Sequence, residues 1–98
     1  MITHEKINFE DITVQLPELK VCFRGNAIHL TLTQLRLLLI FLSDPYGRFT
    51  NEELIRRMEL FSKSHLNVVV THLRKLLDQQ YIFTMRGYGY AFAIERGS

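Results

Sequence analysis

The segment Leu32–Leu42, LTQLRLLLIFL, constrains the fold most. Read as a helix it is apolar almost all round, and such a helix must be covered on several sides. Thr31 and Gln34 stand at capping-box spacing: the threonine hydroxyl can accept the Gln34 amide, and the glutamine side chain can reach back. Asp44-Pro45-Tyr46-Gly47 then brings turn chemistry that stops it. The spacing predicts a first helix over about 32–43 at the centre of the core, so the other segments must wrap it. With 98 residues, 47% hydrophobic and 22% charged, the chain makes one domain, 1–98. That length buries a sufficient core without metal or disulfide. Cys22 stands alone, which excludes an internal disulfide and fits a reducing compartment. The longest apolar run, Leu37–Leu42, is far too short to cross a bilayer, and MITHEKINFED has no signal-peptide core. A soluble, cytoplasmic protein with no membrane partner is expected.

Residues before this helix, about 7–30, read as strands. Ile12, Val14 and Leu16 alternate with Thr13 and Gln15, the period of a half-buried strand, until Pro17 breaks the run. KVCFR and AIHL flank Gly25-Asn26, two residue types that tolerate positive φ, and this predicts a hairpin.

After it come two further helices. Thr50 and Glu53 repeat the capping-box spacing, and NEELIRRMEL predicts a second helix over about 51–59. Its acidic residues come first and Arg56-Arg57 later, as the helix dipole favours. A short link follows, with Ser62 or Ser64 able to cap a third helix over about 64–78. In that helix Leu66, Val70, Leu73 and Leu77 form an apolar stripe. Asn67, Thr71, Arg74 and Asp78 form a second stripe, and Val68, His72 and Lys75 a third. Val68-Val69-Val70 favours a strand locally, but a strand would split the leucine stripe over both faces. Two helices in tandem across a tight link make a helix-turn-helix arrangement. The last segment, about 81–94, returns to period two: Tyr81, Phe83 and Met85, then Arg86-Gly87-Tyr88-Gly89, then Tyr90, Phe92 and Ile94. This predicts a hairpin with a cationic tip.

The charge distribution points the same way. Residues 1–55 carry five Lys/Arg against seven Asp/Glu, whereas residues 56–98 carry seven against three. The basic excess lies in the half that holds the two-faced helix, which suggests a polyanionic partner. Enzymatic readings lack support. His4, His29, His65 and His72 are scattered at no metal-ligand spacing, no glycine-rich loop cradles a phosphate, and no nucleophile has a recognisable context. No metal, cofactor or catalytic residue is assigned.

Three stretches in order, HLTLTQLRLLLIFL, GRFTNEELI and NVVVTHLRKLL with TMRGYGYAF, resemble the winged helix-turn-helix DNA-binding domain of OmpR/PhoB-type response regulators over about residues 10–94. The resemblance implies an α+β fold: an N-terminal antiparallel sheet, three helices and a C-terminal hairpin wing. It implies sequence-specific double-stranded DNA binding by the effector domain of a bacterial transcription factor. The third helix would enter the major groove with Asn67, Val68, Thr71 and His72 toward base edges. Ser64, His65, Arg74 and Lys75 would lie near phosphates. Arg86 would reach the minor groove, and Thr84 and Tyr90 the backbone. Chemistry agrees in kind: an asparagine can pair with adenine, a valine can pack on a thymine methyl, and guanidinium suits phosphates and narrow minor grooves. The chain departs from the family at Asn67, usually acidic, and at Val69, usually histidine. The link between the second and third helices, where the family contacts RNA polymerase, is short here. The resemblance also implies a homodimer, head-to-tail on DNA, and a parent regulator with a receiver domain. The alternative is a winged helix that binds protein and not DNA.

Overall fold

The computed structural model describes residues 5–93. They fall into two compact units that divide between Leu30 and Thr31.

The first unit is an antiparallel meander. β1 (Glu5–Phe9), β2 (Ile12–Leu16), β3 (Lys20–Phe23) and β4 (Asn26–Ile28) lie side by side in chain order. Alternation in β2 buries Ile12 and Val14, and Val14 pairs with the buried Val21 of β3. The β3–β4 turn lies one residue earlier than the sequence indicates. Phe23 pairs with Asn26, so Asn26 opens β4 and the two turn residues are Arg24 and Gly25. Both have positive φ, 53° and 81°, which matches the right-handed twist of the strands. Glycine accepts that conformation freely. Arg24 is held in it: its amide donates to Asp11 O at 2.9 Å, and its Nε to Asp11 Oδ2 at 3.1 Å.

The second unit begins with α1 (Leu32–Ser43). Its capping box is complete, with Gln34 N to Thr31 Oγ1 at 3.2 Å and Thr31 N to Gln34 Oε1 at 2.9 Å. Leu35, Leu37, Leu38, Phe41 and Leu42 are buried. Leu32, in the first turn, is 61% exposed, so the helix is enclosed along most of its length but not at its start. β5 (Arg48–Thr50) follows, then α2 (Asn51–Met58), α3 (Lys63–Leu76), β6 (Ile82–Met85) and β7 (Gly89–Phe92). The wing is therefore not a lone hairpin. β5 pairs with β7 to give an antiparallel sheet of order β5-β7-β6. As the central strand, β7 has all four residues buried, so the Tyr90/Phe92 against Ala91 alternation does not appear as burial. Ile94 lies outside the described residues. Phe41 of α1 stacks on Phe92 at 5.2 Å and meets Phe49 edge-on at 5.3 Å, which ties helix to sheet.

Gly89 makes the β5–β7 pairing possible. A Cβ there would strike the Phe49 carbonyl oxygen and lie 2.9 Å from Asn51 N and Thr50 C, all backbone atoms. α2 is capped by Thr50, whose hydroxyl accepts from Glu53 N at 3.0 Å. It ends at Glu59 in a left-handed conformation, φ 55°, with Leu60 N donating to Ile55 O at 3.0 Å. α3 starts one residue before Ser64. Ser62 is its cap, accepting from His65 N at 3.2 Å, and Lys63 is the first helical residue. No helix among the described residues is long and apolar enough to cross a membrane.

Candidate nucleic-acid interface

The three stripes of α3 have three different surroundings. Leu66, Val70, Leu73 and Leu77 are buried, and Val69 joins them. Val69 completes a core-facing band wider than the leucine stripe, so burial of Val69 and Val70 offsets the strand preference of these β-branched residues.

The second stripe is turned toward the wing and its polar groups are engaged. Tyr90 OH donates to Asn67 Oδ1 at 3.3 Å. Thr71 Oγ1 donates to Asn67 O, one turn back, at 2.8 Å. Arg74 Nε donates to Ile82 O at 3.2 Å, and Arg74 Nη2 to Thr84 Oγ1 at 3.0 Å. Four residues expected to face DNA separately, Asn67, Arg74, Thr84 and Tyr90, are thus tied to one another across α3 and the wing. Tyr90 is 6% exposed, and burial raises its phenol pKa, with the Arg74 charge nearby acting in the opposite sense.

The third stripe is open. Val68 is 49% exposed, and His72 and Lys75 are exposed beside it. Among the described residues neither His72 nor Lys75 makes a side-chain hydrogen bond or ion pair. At the start of α3, Ser64 is exposed and His65 is half-buried. The His65 ring stacks on Phe61 with centroids 6.0 Å apart, so its face is turned to the α2–α3 link.

Between the start of α3 and the wing lies an open groove of about 380 Å³. Lys63, Ser64 and Asn67 line one side, and Thr84, Arg86 and Tyr90 line the other. Arg86 is exposed on the three-residue β6–β7 loop, whose middle residue, Gly87, has φ 79°. Among the described residues Arg86 has no acidic partner. Lys63 and Asn51 are polar groove residues outside the set expected to face DNA. Lys63 looks like part of a loop until Ser62 is seen to cap the helix. Asn51 comes to the groove because its backbone N–H donates to Tyr88 O at 3.0 Å, a long-range contact. Among the described residues no group of three or more His, Cys, Asp and Glu could hold a metal ion.

Chemically, the face offers one exposed isopropyl group, an imidazole, two lysines and one arginine around an open groove. That set suits a polyanion with apolar and hydrogen-bonding groups between its charges.

The sequence profile of the family described as "Transcriptional regulatory protein, C terminal" matches residues 25–92. The uncharacterized transcriptional regulatory protein YcbL of Bacillus subtilis (strain 168) is 30% identical over 95 residues, 86% of this chain and 41% of that protein. The chain spans about two fifths of the length of the curated relatives that it matches. The Klebsiella pneumoniae RstA DNA-binding domain, solved in complex with the RstA box, has a TM-score of 0.82 at 22% identity, covering 94% of this chain and 100% of that one. The Thermotoga maritima response regulator DrrB, an OmpR/PhoB homologue, has a TM-score of 0.80 at 24% identity, covering 89% of this chain and 43% of that one. These likenesses show the fold: an α+β winged helix-turn-helix.

Proposed function

The chain belongs to the family of C-terminal domains of transcriptional regulatory proteins, and from that premise we propose that it binds double-stranded DNA in a sequence-specific way as the effector domain of a response-regulator-type transcription factor. One observation carries this reading. The start of α3 (Lys63, Ser64, Asn67) and the cationic wing loop with Arg86 line one open groove, whose lysine and arginine have no acidic partner among the described residues, and the same helix carries the open stripe Val68, His72 and Lys75. α3 would enter the major groove with Val68 and His72 reading base edges. Lys63, Ser64 and Lys75 would hold phosphates. Arg86 would enter the flanking minor groove, where narrow A/T-rich tracts concentrate negative potential.

Binding as a head-to-tail pair on repeated half-sites is part of the proposal, as is placement in a longer regulator. So is a contact with RNA polymerase through the α2–α3 link. Phe61 there is 94% exposed, which favours a protein contact at that point. The same residue supports the second reading, a winged helix that binds protein alone.

Selection of bound duplexes from a random library tests the main reading. Recovery of a repeated motif with fixed spacing is the expected result and reports the pair geometry directly. Absence of any duplex binding, even at low salt where counterion release favours association most, would transfer the chain to the second reading.

A further inference from the structure

The Arg74 guanidinium uses one edge twice. Nε and Nη2 lie side by side on that edge, and both donate to β6: Nε to the Ile82 carbonyl at 3.2 Å, Nη2 to the Thr84 hydroxyl at 3.0 Å. This is the side-on edge, one of the two with which a guanidinium can grip a phosphate by two hydrogen bonds, and the wing strand occupies it. Arg74 is half-buried, unlike the exposed Lys75 next to it. Seven residues before it, Asn67 makes the other tie to the wing, to Tyr90 of β7 at 3.3 Å. Seven residues of helix span roughly 10 Å. Two ties that far apart, one on each strand of the hairpin, oppose both sliding and rotation of the wing against α3. Arg86 stands two residues beyond Thr84, so the register of β6 sets where Arg86 points.

We infer that Arg74 is a positioning residue: it clasps the first wing strand to α3, fixes the separation between helix and wing loop, and acts on DNA through Arg86 and not as a phosphate ligand. The inference rests on the DNA-binding reading above for its effect on affinity, but the clasp itself is a property of the free chain.

Lysine distinguishes the two roles. It keeps the charge and can still reach a phosphate, but a single ammonium cannot donate two parallel bonds to Ile82 O and Thr84 Oγ1. The probe is a duplex selected from a random library by the wild-type chain, titrated at several salt concentrations. Arg74→Lys and Arg74→Gln should both weaken binding by about tenfold, as loss of charge-assisted hydrogen bonds implies. Thr84→Val, which removes the acceptor and keeps the shape, should follow them. In an Arg86→Ala background, Arg74→Lys and Arg74→Gln should add little further loss, because their effect passes through Arg86. The salt dependence of Arg74→Gln in that background should match that of Arg86→Ala alone. If Arg74→Lys binds like wild type while Arg74→Gln in the Arg86→Ala background loses about one unit of salt slope, Arg74 is a phosphate ligand and the inference fails. Amide hydrogen exchange of the free chain supplies the arm that needs no DNA. Arg74→Lys should speed exchange across residues 82–89 while α1 amides keep their protection. Unchanged exchange there overturns the clasp whatever DNA does. Faster exchange in a chain that selects no duplex upholds the clasp and removes the DNA reading instead.

Discussion

Thr71 has a hydroxyl in the right place to read a base, yet that hydroxyl points back along the helix to the carbonyl of Asn67. What Thr71 can offer outward is its methyl group. Thr71→Val should therefore leave sequence preference unchanged, as a competition assay over single-base variants of the selected site would report. A shift in preferred base would mean that the hydroxyl turns outward on binding. His72 is the contrasting case, exposed and without a partner among the described residues. His72→Ala should relax preference at one base pair by about 1–3 kcal/mol, seen in the same assay, and a uniform drop across all variants would make it a backbone contact. Tyr90 gives a pH signature. Burial raises its pKa in the folded chain above the ordinary value of 10.0, with the Arg74 charge lowering it in part. The neutral phenol is thus favoured by folding, so its contribution is fully present below about pH 10 and is lost as pH rises through the folded pKa. Wild type should lose more stability than Tyr90→Phe as pH rises above about 10 in denaturant titrations. Parallel losses in the two proteins would assign the alkaline limb to other groups that titrate there, lysines among them.

Elements whose signals are local agree between sequence and structure. The Thr31–Gln34 box and the Thr50–Glu53 spacing lie within four residues each, and both helices start where those residues stand. β5 is the opposite case. Three residues cannot display a period, and Arg48–Thr50 becomes a strand only because β7, Gly89–Phe92, arrives far along the chain to pair with it. The ties from Asn67 and Arg74 to the wing were hidden for the same reason: each side chain is legible as a polar stripe, but its partner depends on how helix and sheet are juxtaposed. Open residues such as Val68, His72, Lys75 and Arg86 kept the exposure that their spacing implied. Two element boundaries carry testable energetics. Glu59 ends α2 in a left-handed conformation, where a Cβ costs about 1 kcal/mol and glycine is at ease. Glu59→Gly should raise stability by up to that amount, less the extra entropy that glycine gives the unfolded chain, measurable as a higher thermal midpoint. A lower midpoint would show that the glutamate side chain contributes more than its backbone strain costs. Gly89→Ala should destabilise by about 1–3 kcal/mol, because the new methyl meets backbone of β5 that cannot rotate away. Preserved stability with preserved β5–β7 cross-peaks would show that the sheet can spread to admit it.

At the scale of the molecule, a domain with a formal charge of only +2 would have to hold a polyanion. Charge on the proposed DNA face is sparse and localised. Arg74 is engaged by the wing, the open stripe of α3 contributes Lys75 alone, and the groove adds Lys63 and Arg86. Each neutralised phosphate contributes about −0.9 to the slope of log affinity against log salt, so three cations imply a slope of about −3 per bound domain. That is shallow for a DNA-binding protein, and under the proposed reading it would shift the burden of affinity onto contacts that salt does not screen: apolar packing at Val68, hydrogen bonds from His72 and Ser64, and pairing of domains on adjacent half-sites. The proposed tandem binding would suit this charge distribution, since two weakly charged domains on one duplex gain from effective concentration what each lacks in electrostatic grip. Filter binding to a single half-site and to the paired site, each over a range of salt, checks this. The expected outcome is a slope near −3 on the single half-site, roughly doubled on the pair, with an affinity gain on the pair that persists at high salt. A single-site slope steeper than about −6 would mean that cations remote from this face, such as Arg56 on α2, also neutralise phosphates, and the DNA would then have to wrap further around the helices than α3 and the wing alone require.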